Sequence, residues 1–227
     1  MGIMASIKAH QANLKYSKGD IEGAMKLFQE AYEDGLKDTK VLLPYSVLLI
    51  RAGRYQEARD MLIKIQKYPM PEDAKRQLFV NYASCVYKMG EIEKGVELLK
   101  RQHQKQPSGI VYQTLGYLLV EAGDFESALA FNQEACEYDD EDPIVLDNLG
   151  QTYYRLGNDK EKAKEYFDKA IELKPGQIDT LYFLAQYDLE AGDKEAAKAK
   201  LEKAMEGRFS PLNFATREKV QEALNNL

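Results

Sequence analysis

Apolar residues recur along this chain at spacings of three and four, in paired segments separated by short polar breaks. Ala24, Phe28 and Ala31 form one such run, Ala163, Phe167 and Ala170 another, and Ala197, Leu201 and Ala204 a third. On a helix of about 3.6 residues per turn, positions so spaced fall on one stripe. Matching pairs lie upstream of the last four breaks: Tyr82-Ala83, Leu115-Gly116, Leu149-Gly150 and Leu184-Ala185. Period-two alternation does not persist anywhere, which excludes a sheet-based dinucleotide fold. The pattern predicts helix pairs at about 5–34, 39–67, 72–106, 109–138, 143–174 and 178–207, and a thirteenth helix over about 211–227.

The breaks repeat as closely as the stripes. Gly19-Asp20-Ile21-Glu22-Gly23-Ala24 returns as Gly53-Arg54-Tyr55-Gln56-Glu57-Ala58, then as Gly90-Glu91-Ile92-Glu93-Lys94-Gly95 and Gly123-Asp124-Phe125-Glu126-Ser127-Ala128. The fifth copy, Gly157-Asn158-Asp159-Lys160-Glu161-Lys162-Ala163, carries one extra residue, and the sixth is Gly192-Asp193-Lys194-Glu195-Ala196-Ala197. The leading glycines lie 34, 37, 33, 34 and 35 residues apart. A glycine there lets the chain enter the left-handed region where one helix ends and the next begins. The acidic or polar residue after it favours the new helix's N-terminus. Pro107, Pro143 and Pro175 fall between helices or at a first turn, where proline is tolerated. Pro44 falls near the start of its helix and predicts a delayed start or a kink.

Six copies in phase at a period near 34 resemble the tetratricopeptide repeat. The resemblance runs over roughly residues 5–208. It departs where the chain, lacking Trp, has none at the fourth repeat position, where Gly95 replaces an alanine, and where Asn132 replaces a large apolar residue. Extra residues around Tyr68-Pro69-Met70-Pro71 precede the third repeat. The resemblance implies an all-α fold, a right-handed α-solenoid (superhelix) of antiparallel helix hairpins. It implies a single domain over 1–227, with repeats at about 5–38, 39–75, 76–108, 109–142, 143–177 and 178–209 and a capping helix at about 211–227. Ser210-Pro211 offers that helix an N-cap and a first-turn proline, and Val220, Leu224 and Leu227 an apolar face.

Charge narrows the partners. With a net charge of −6 and no sustained basic run, the chain lacks the cations that nucleic acid requires. Cys85 and Cys136 fall in apolar helical patterns and read as buried reduced thiols, as in a cytoplasmic protein or a cytosol-facing domain. No run approaches the length of a membrane span, and Met1-Gly2-Ile3-Met4-Ala5-Ser6 is no signal peptide, although Gly2 and Ser6 fit the short, permissive myristoylation pattern. The helical pattern begins almost at once, so the chain is also readable as a regulatory or recruiting domain of a larger enzyme or membrane-anchored protein.

Candidate chemistry is sparse. His10 and His103 lie in different repeats and read as surface or interface residues. No metalloprotease, phosphate-loop or nucleophile-elbow motif occurs. The run Asp139-Asp140-Glu141-Asp142 lacks the spacing and internal glycine of a calcium loop and reads as a solvated connection. The expectation is therefore no catalytic residue, no metal and no cofactor.

Binding residues follow from the resemblance, which implies that the first helix of each pair lines a concave groove. Mapped onto this chain, that groove takes Asn13 and Tyr16; Val47, Ile50 and Arg51; Ser84, Tyr87 and Lys88; Gln113 and Tyr117, with Glu121; Asp147, Gln151, Tyr154 and Arg155; and Tyr182 and Gln186, with Asp179 and Glu190. Tyrosine recurs along it. An apolar ring with a polar tip suits the capture of an extended or helical peptide, and it equally suits packing between repeats. A carboxylate clamp for chaperone tails is disfavoured: Asn13 fits it, but Ala9 and Val47 stand where Lys and Asn are needed. The expected function is a non-catalytic scaffold or adaptor binding a protein or peptide segment, with self-association through the groove as a further option.

Overall fold

The computed structural model describes residues 2–227; Met1, the start of the N-terminal pattern read above, lies outside them. Among the described residues there are helices and no strands. The helices are α1 (Ile3–Ser17), α2 (Ile21–Glu33), α3 (Thr39–Arg51), α4 (Tyr55–Ile65), α5 (Glu72–Lys88), α6 (Ile92–Lys105), α7 (Gly109–Ala122), α8 (Phe125–Tyr138), α9 (Pro143–Gln151), α10 (Lys160–Leu173), α11 (Ile178–Glu190), α12 (Lys194–Met205) and α13 (Arg217–Asn225). Within the chain α1 packs on α2, α3 on α4, α7 on α8, α9 on α10 and α11 on α12, and α13 packs on α12. Contacts divide the chain into two compact units, Met1–Leu98 and Leu99–Leu227.

In the first unit, α1 to α5 enclose one core. Ala24, Phe28 and Ala31 of α2 and Ala58, Leu62 and Ile65 of α4 are buried in it, and Phe28 stacks on Tyr45 with ring centroids 5.4 Å apart. Burying such a side chain contributes about 1.5–3 kcal/mol. The alanines let the helices close up without a void. The delayed start expected from Pro44 does not occur: α3 begins at Thr39, where the Asp38 carboxylate accepts from the Lys40 N–H at 2.9 Å. Pro44 falls just past the residues whose N–H groups have no helical acceptor, so it removes a single bond. Asn81 of α5 ties back to this region, its Nδ2 donating to Ser46 Oγ at 2.8 Å and to the Leu43 carbonyl.

In the second unit, Ala163, Phe167 and Ala170 of α10 and Ala197, Leu201 and Ala204 of α12 are buried as the stripes predict. The aspartates after the turn glycines cap the second helices: Asp20, Asp124 and Asp193 accept from the N–H groups of Gly23, Ser127 and Ala196. Gly19, Gly53, Gly90, Gly123 and Gly192 have φ between 74° and 83°, the left-handed values the turn requires.

The fifth hairpin departs from this. Its extra residue is absorbed in a π-helical turn, Thr152–Gly157, after α9, and the left-handed position falls to Asn158 at φ 52° instead of Gly157. One inserted residue widens one turn and the flanking register survives. Gly157 is needed for a different reason: a Cβ there would meet the Phe125 ring at 2.7 Å.

The chain's end is a second correction. The last helix does not open at Ser210-Pro211; it starts at Arg217, with Thr216 Oγ1 accepting from the Lys219 N–H. Residues 206–216 form an extended connection with a turn at its centre, where the Asn213 N–H donates to the Ser210 carbonyl at 2.9 Å. The reason is tertiary: a buried carboxylate on α11 takes the backbone N–H groups that a helix would otherwise use.

Candidate functional site

The candidate site is the face presented by the first helices of the hairpins. In the first unit these are α1, α3 and α5. Asn13 and Arg51 are exposed there; Tyr16, Val47, Tyr87 and Lys88 are half-buried. The Lys88 ammonium sits 5.3 Å from the Tyr87 ring centroid, a contact that leaves a polarised aromatic surface at the end of α5. Ile50 and Ser84 are buried, Ile50 within the core and Ser84 with its hydroxyl donating to the Val80 carbonyl at 2.9 Å.

In the second unit the first helices are α7, α9 with its π turn, and α11, and here the predicted residues converge. Gln113 donates to Asp142 at 2.5 Å, and its carbonyl accepts from Asn148 at 2.8 Å. Tyr117 is buried in α7. Arg155 Nη1 donates to Glu121 at 2.6 Å and to Gln151 Oε1 at 3.0 Å; Gln151 Nε2 donates to Asp147 at 2.7 Å; the Thr180 hydroxyl donates to the other Asp147 oxygen at 2.5 Å. One polar chain thus runs from α7 through α9 to α11, with Asp147 and Gln151 wholly enclosed.

Asp179 stands beside this chain and faces the connection 206–216. Its carboxylate accepts from Asn213 Nδ2 at 3.2 Å, the Phe214 N–H at 3.1 Å and the Ala215 N–H at 2.9 Å. Phe214 lies on Phe183 with centroids 5.2 Å apart and planes at 18°, under the Arg155 guanidinium at 3.9 Å. Tyr182 meets the same ring edge-on, and Gln186 donates to the Tyr182 carbonyl at 3.3 Å. Tyr154 packs among Phe167, Phe183 and Tyr187. A cleft of about 410 Å³ opens alongside, lined by Tyr182, Gln186, Leu189, Lys219, Glu222, Ala223 and Asn226.

Burial, with the nearby Asp179 charge adding to it, pushes the Asp147 carboxyl up to about 7. Burial also raises Asp179, but the two N–H groups and the Asn213 amide favour its charged form and oppose that rise, and the Arg155 charge helps. Burial pushes the Cys85 thiol up to about 12 and Cys136 to about 11, so both are poor nucleophiles near neutral pH. His103 stacks edge-on with Tyr112 and Phe131, and Glu134 lies 3.1 Å from its Nε2. Among the described residues, no cluster of three or more His, Cys, Asp or Glu could hold a metal ion, and no helix is long and apolar enough to cross a membrane.

Residues Asn213, Phe214 and Ala215 were not among the sequence candidates, because they lie outside the repeat. The signal available was an aromatic residue in a polar tail with no helical partner at spacing three or four.

With this geometry in hand, the chain can be set beside known proteins. Residues 15–75 and 143–177 match models of the tetratricopeptide repeat. The TPR repeat-containing protein YpiA of Bacillus subtilis (strain 168) is 26% identical over 189 residues, covering 83% of this chain and 44% of that protein. Human tetratricopeptide repeat protein 13 is 29% identical over 131 residues, 58% of this chain and 15% of that protein. The chain thus spans less than half the length of these curated relatives. Among solved structures, a thermophilic TPR protein of Thermus thermophilus superposes with a TM-score of 0.65 at 19% identity, covering 83% of this chain and 97% of that one. YrrB, described as a TPR protein with an unusual peptide-binding site, does so at 0.52 and 23% identity, covering 77% and 88%. These likenesses show the fold class, an α-solenoid of helix hairpins. The repeats, their spacing and the matches together support a tetratricopeptide-repeat protein.

Proposed function

We propose that the chain is a non-catalytic scaffold that holds a segment of a protein partner on its first-helix faces, its hairpins and last helix serving as one cytosol-facing domain without a cofactor. Repeat proteins of this kind present extended surfaces to protein or peptide partners, and a peptide-binding site is described for YrrB. The observation that carries the reading is local. Asp179, Arg155 and Phe183 already grip a non-helical segment by two backbone N–H groups and one aromatic ring. Backbone donors and an aromatic anchor are the means by which extended peptides are recognised. The acidic balance, −6 overall, disfavours nucleic acid as the partner.

A second reading, a recruiting module of a larger protein, is favoured by the relatives' lengths, of which the matched regions are 44% and 15%. It leaves the binding mode unchanged. Capture from a cell extract tests the proposal, comparing wild type with Arg51→Glu/Lys88→Glu, two substitutions on the first-helix face of the first unit that keep the core intact. A partner retained by wild type and lost from the folded variant is expected; identical retention by both argues against binding on that face.

A further inference from the structure

We infer that Asp179, Arg155, Phe183 and Tyr182 form a recognition site for an extended partner segment bearing an asparagine–aromatic–small triplet, and that the chain's own Asn213–Ala215 occupies it as an internal copy of that ligand. This rests on the scaffold reading above and adds the place, the ligand chemistry and the competitor.

The connection before α13 is longer than a capping helix needs. Residues 139–142 and 174–177 suffice to lead from a second helix into the next first helix, whereas residues 206–216 intervene before α13. The extra length is spent on crossing α11. There Asp179, a carboxylate only 4% exposed, depends on the strap for its donors. A buried carboxylate without donors is costly, so a site of this kind demands an occupant. Two of the three donors are backbone N–H groups, which any extended segment supplies; the third is an amide side chain, and the adjoining pocket takes a ring.

The site is built without the strap. Arg155 is aimed by Glu121 at 2.6 Å and Gln151 at 3.0 Å, and Gln151 is fixed in turn by Asp147, which Thr180 holds from α11. Phe183 is braced by Phe167, with centroids 5.0 Å apart and planes at 6°. A ligand would therefore meet oriented groups, which lowers the ordering cost of binding. The strap is fixed mainly by its contacts to this site, with Ala215 fully buried at its end. Residues 209–214 are half-buried and non-helical, and Ser210 and Asn213 bond chiefly to each other.

The test uses a fluorescent peptide of the strap's own sequence, Arg208 to Thr216, titrated by anisotropy with the full chain and with Asn213→Ala/Phe214→Ala. The double variant, whose strap loses the amide donor and the ring and keeps only backbone donors, is expected to bind the peptide at least about tenfold more tightly than wild type, whose site is open only in the strap-released fraction. Adding Asp179→Asn to that variant, or replacing the peptide's phenylalanine by alanine, is expected to remove the gain. Equal affinities for wild type and a double variant of unchanged helical circular dichroism overturn the inference. Should the double variant lose its helicity, Asn213→Ala alone, which deletes the side-chain hydrogen bonds to Asp179 and from the Ser210 N–H, decides by the same comparison. A concentration-dependent dimer in sedimentation that vanishes in the variant makes the occupant a second copy's strap and overturns the separate-partner reading. Failure of peptide binding while the extract partner is still lost from Arg51→Glu/Lys88→Glu removes this inference and leaves the scaffold function standing.

Discussion

Asn132 sits where the other second helices place Phe28, Leu62, Phe167 or Leu201, and it is completely buried. Its Nδ2 donates to Thr152 Oγ1 at 3.0 Å and, more distantly, to the Gly116 carbonyl, but its Oδ1 is buried with no partner. An unmet buried carbonyl oxygen costs about 1–3 kcal/mol, and the bonds made return about 0.5–1.5 kcal/mol each. Leucine has nearly the same branched shape and adds apolar burial. Room exists because residue 116 is glycine, where a Cβ would come within 2.1 Å of Oδ1. Thr152 loses one donor but keeps its own bond to the Asn148 carbonyl at 2.8 Å. Asn132→Leu is therefore expected to stabilise the protein by about 1–2 kcal/mol, a rise in melting temperature of roughly 2–8 °C for a chain of this size. Urea unfolding followed by circular dichroism reads this as a higher midpoint at unchanged slope. A lower midpoint for Asn132→Leu, with Asn132→Ala no worse, would refute the idea that the amide is tolerated at a cost in a hydrophobic position.

Three further outcomes follow from the same geometry. Asp147 is raised from its ordinary 3.8 to about 7, so its contribution to stability is fully present below about pH 4 and is lost as pH rises through 7. The stability of Asp147→Asn relative to wild type should accordingly increase from about pH 4 to about pH 7, measured as a difference of urea midpoints; a difference independent of pH contradicts the assignment. Gly157→Ala forces a methyl group against Phe125 and should destabilise by about 1–3 kcal/mol in the same assay, whereas an unchanged midpoint means the ring moves freely. Cys85, buried with its thiol pushed up, should react with a thiol reagent only as fast as the protein opens, while prompt labelling of folded protein would show that its site admits the reagent.

The periodic part of this molecule was open to reading in the sequence because each repeat solves the same local problem. Glycines in the left-handed region, aspartate caps and Ala–large–Ala stripes are short-range requirements, and residues such as Gly19, Asp20, Ala24 and Phe28 meet them within one hairpin. Period could not reveal what happens once. The one-residue excess in the fifth copy was visible, but whether it would be met by a longer turn or a π-helical widening depended on Phe125 filling the space at Gly157. The partners of Asp179 lie on a segment far along the chain, where the Phe214 and Ala215 N–H groups are claimed by its carboxylate and so never enter a helix. Groove positions assigned by repeat register consequently divide into exposed ones such as Asn13 and Arg51 and buried ones such as Tyr117 and Gln151, a distinction that only long-range packing creates.

The central claim is that partners meet the first helices. A photo-crosslinking amino acid placed at Lys88 or Gln186, on first helices, and at Glu161 or Lys198, exposed on second helices, tests it in living cells. Adducts to a common protein from Lys88 and Gln186 alone are the predicted result; adducts from Glu161 and Lys198, with none from the first-helix positions, would contradict it.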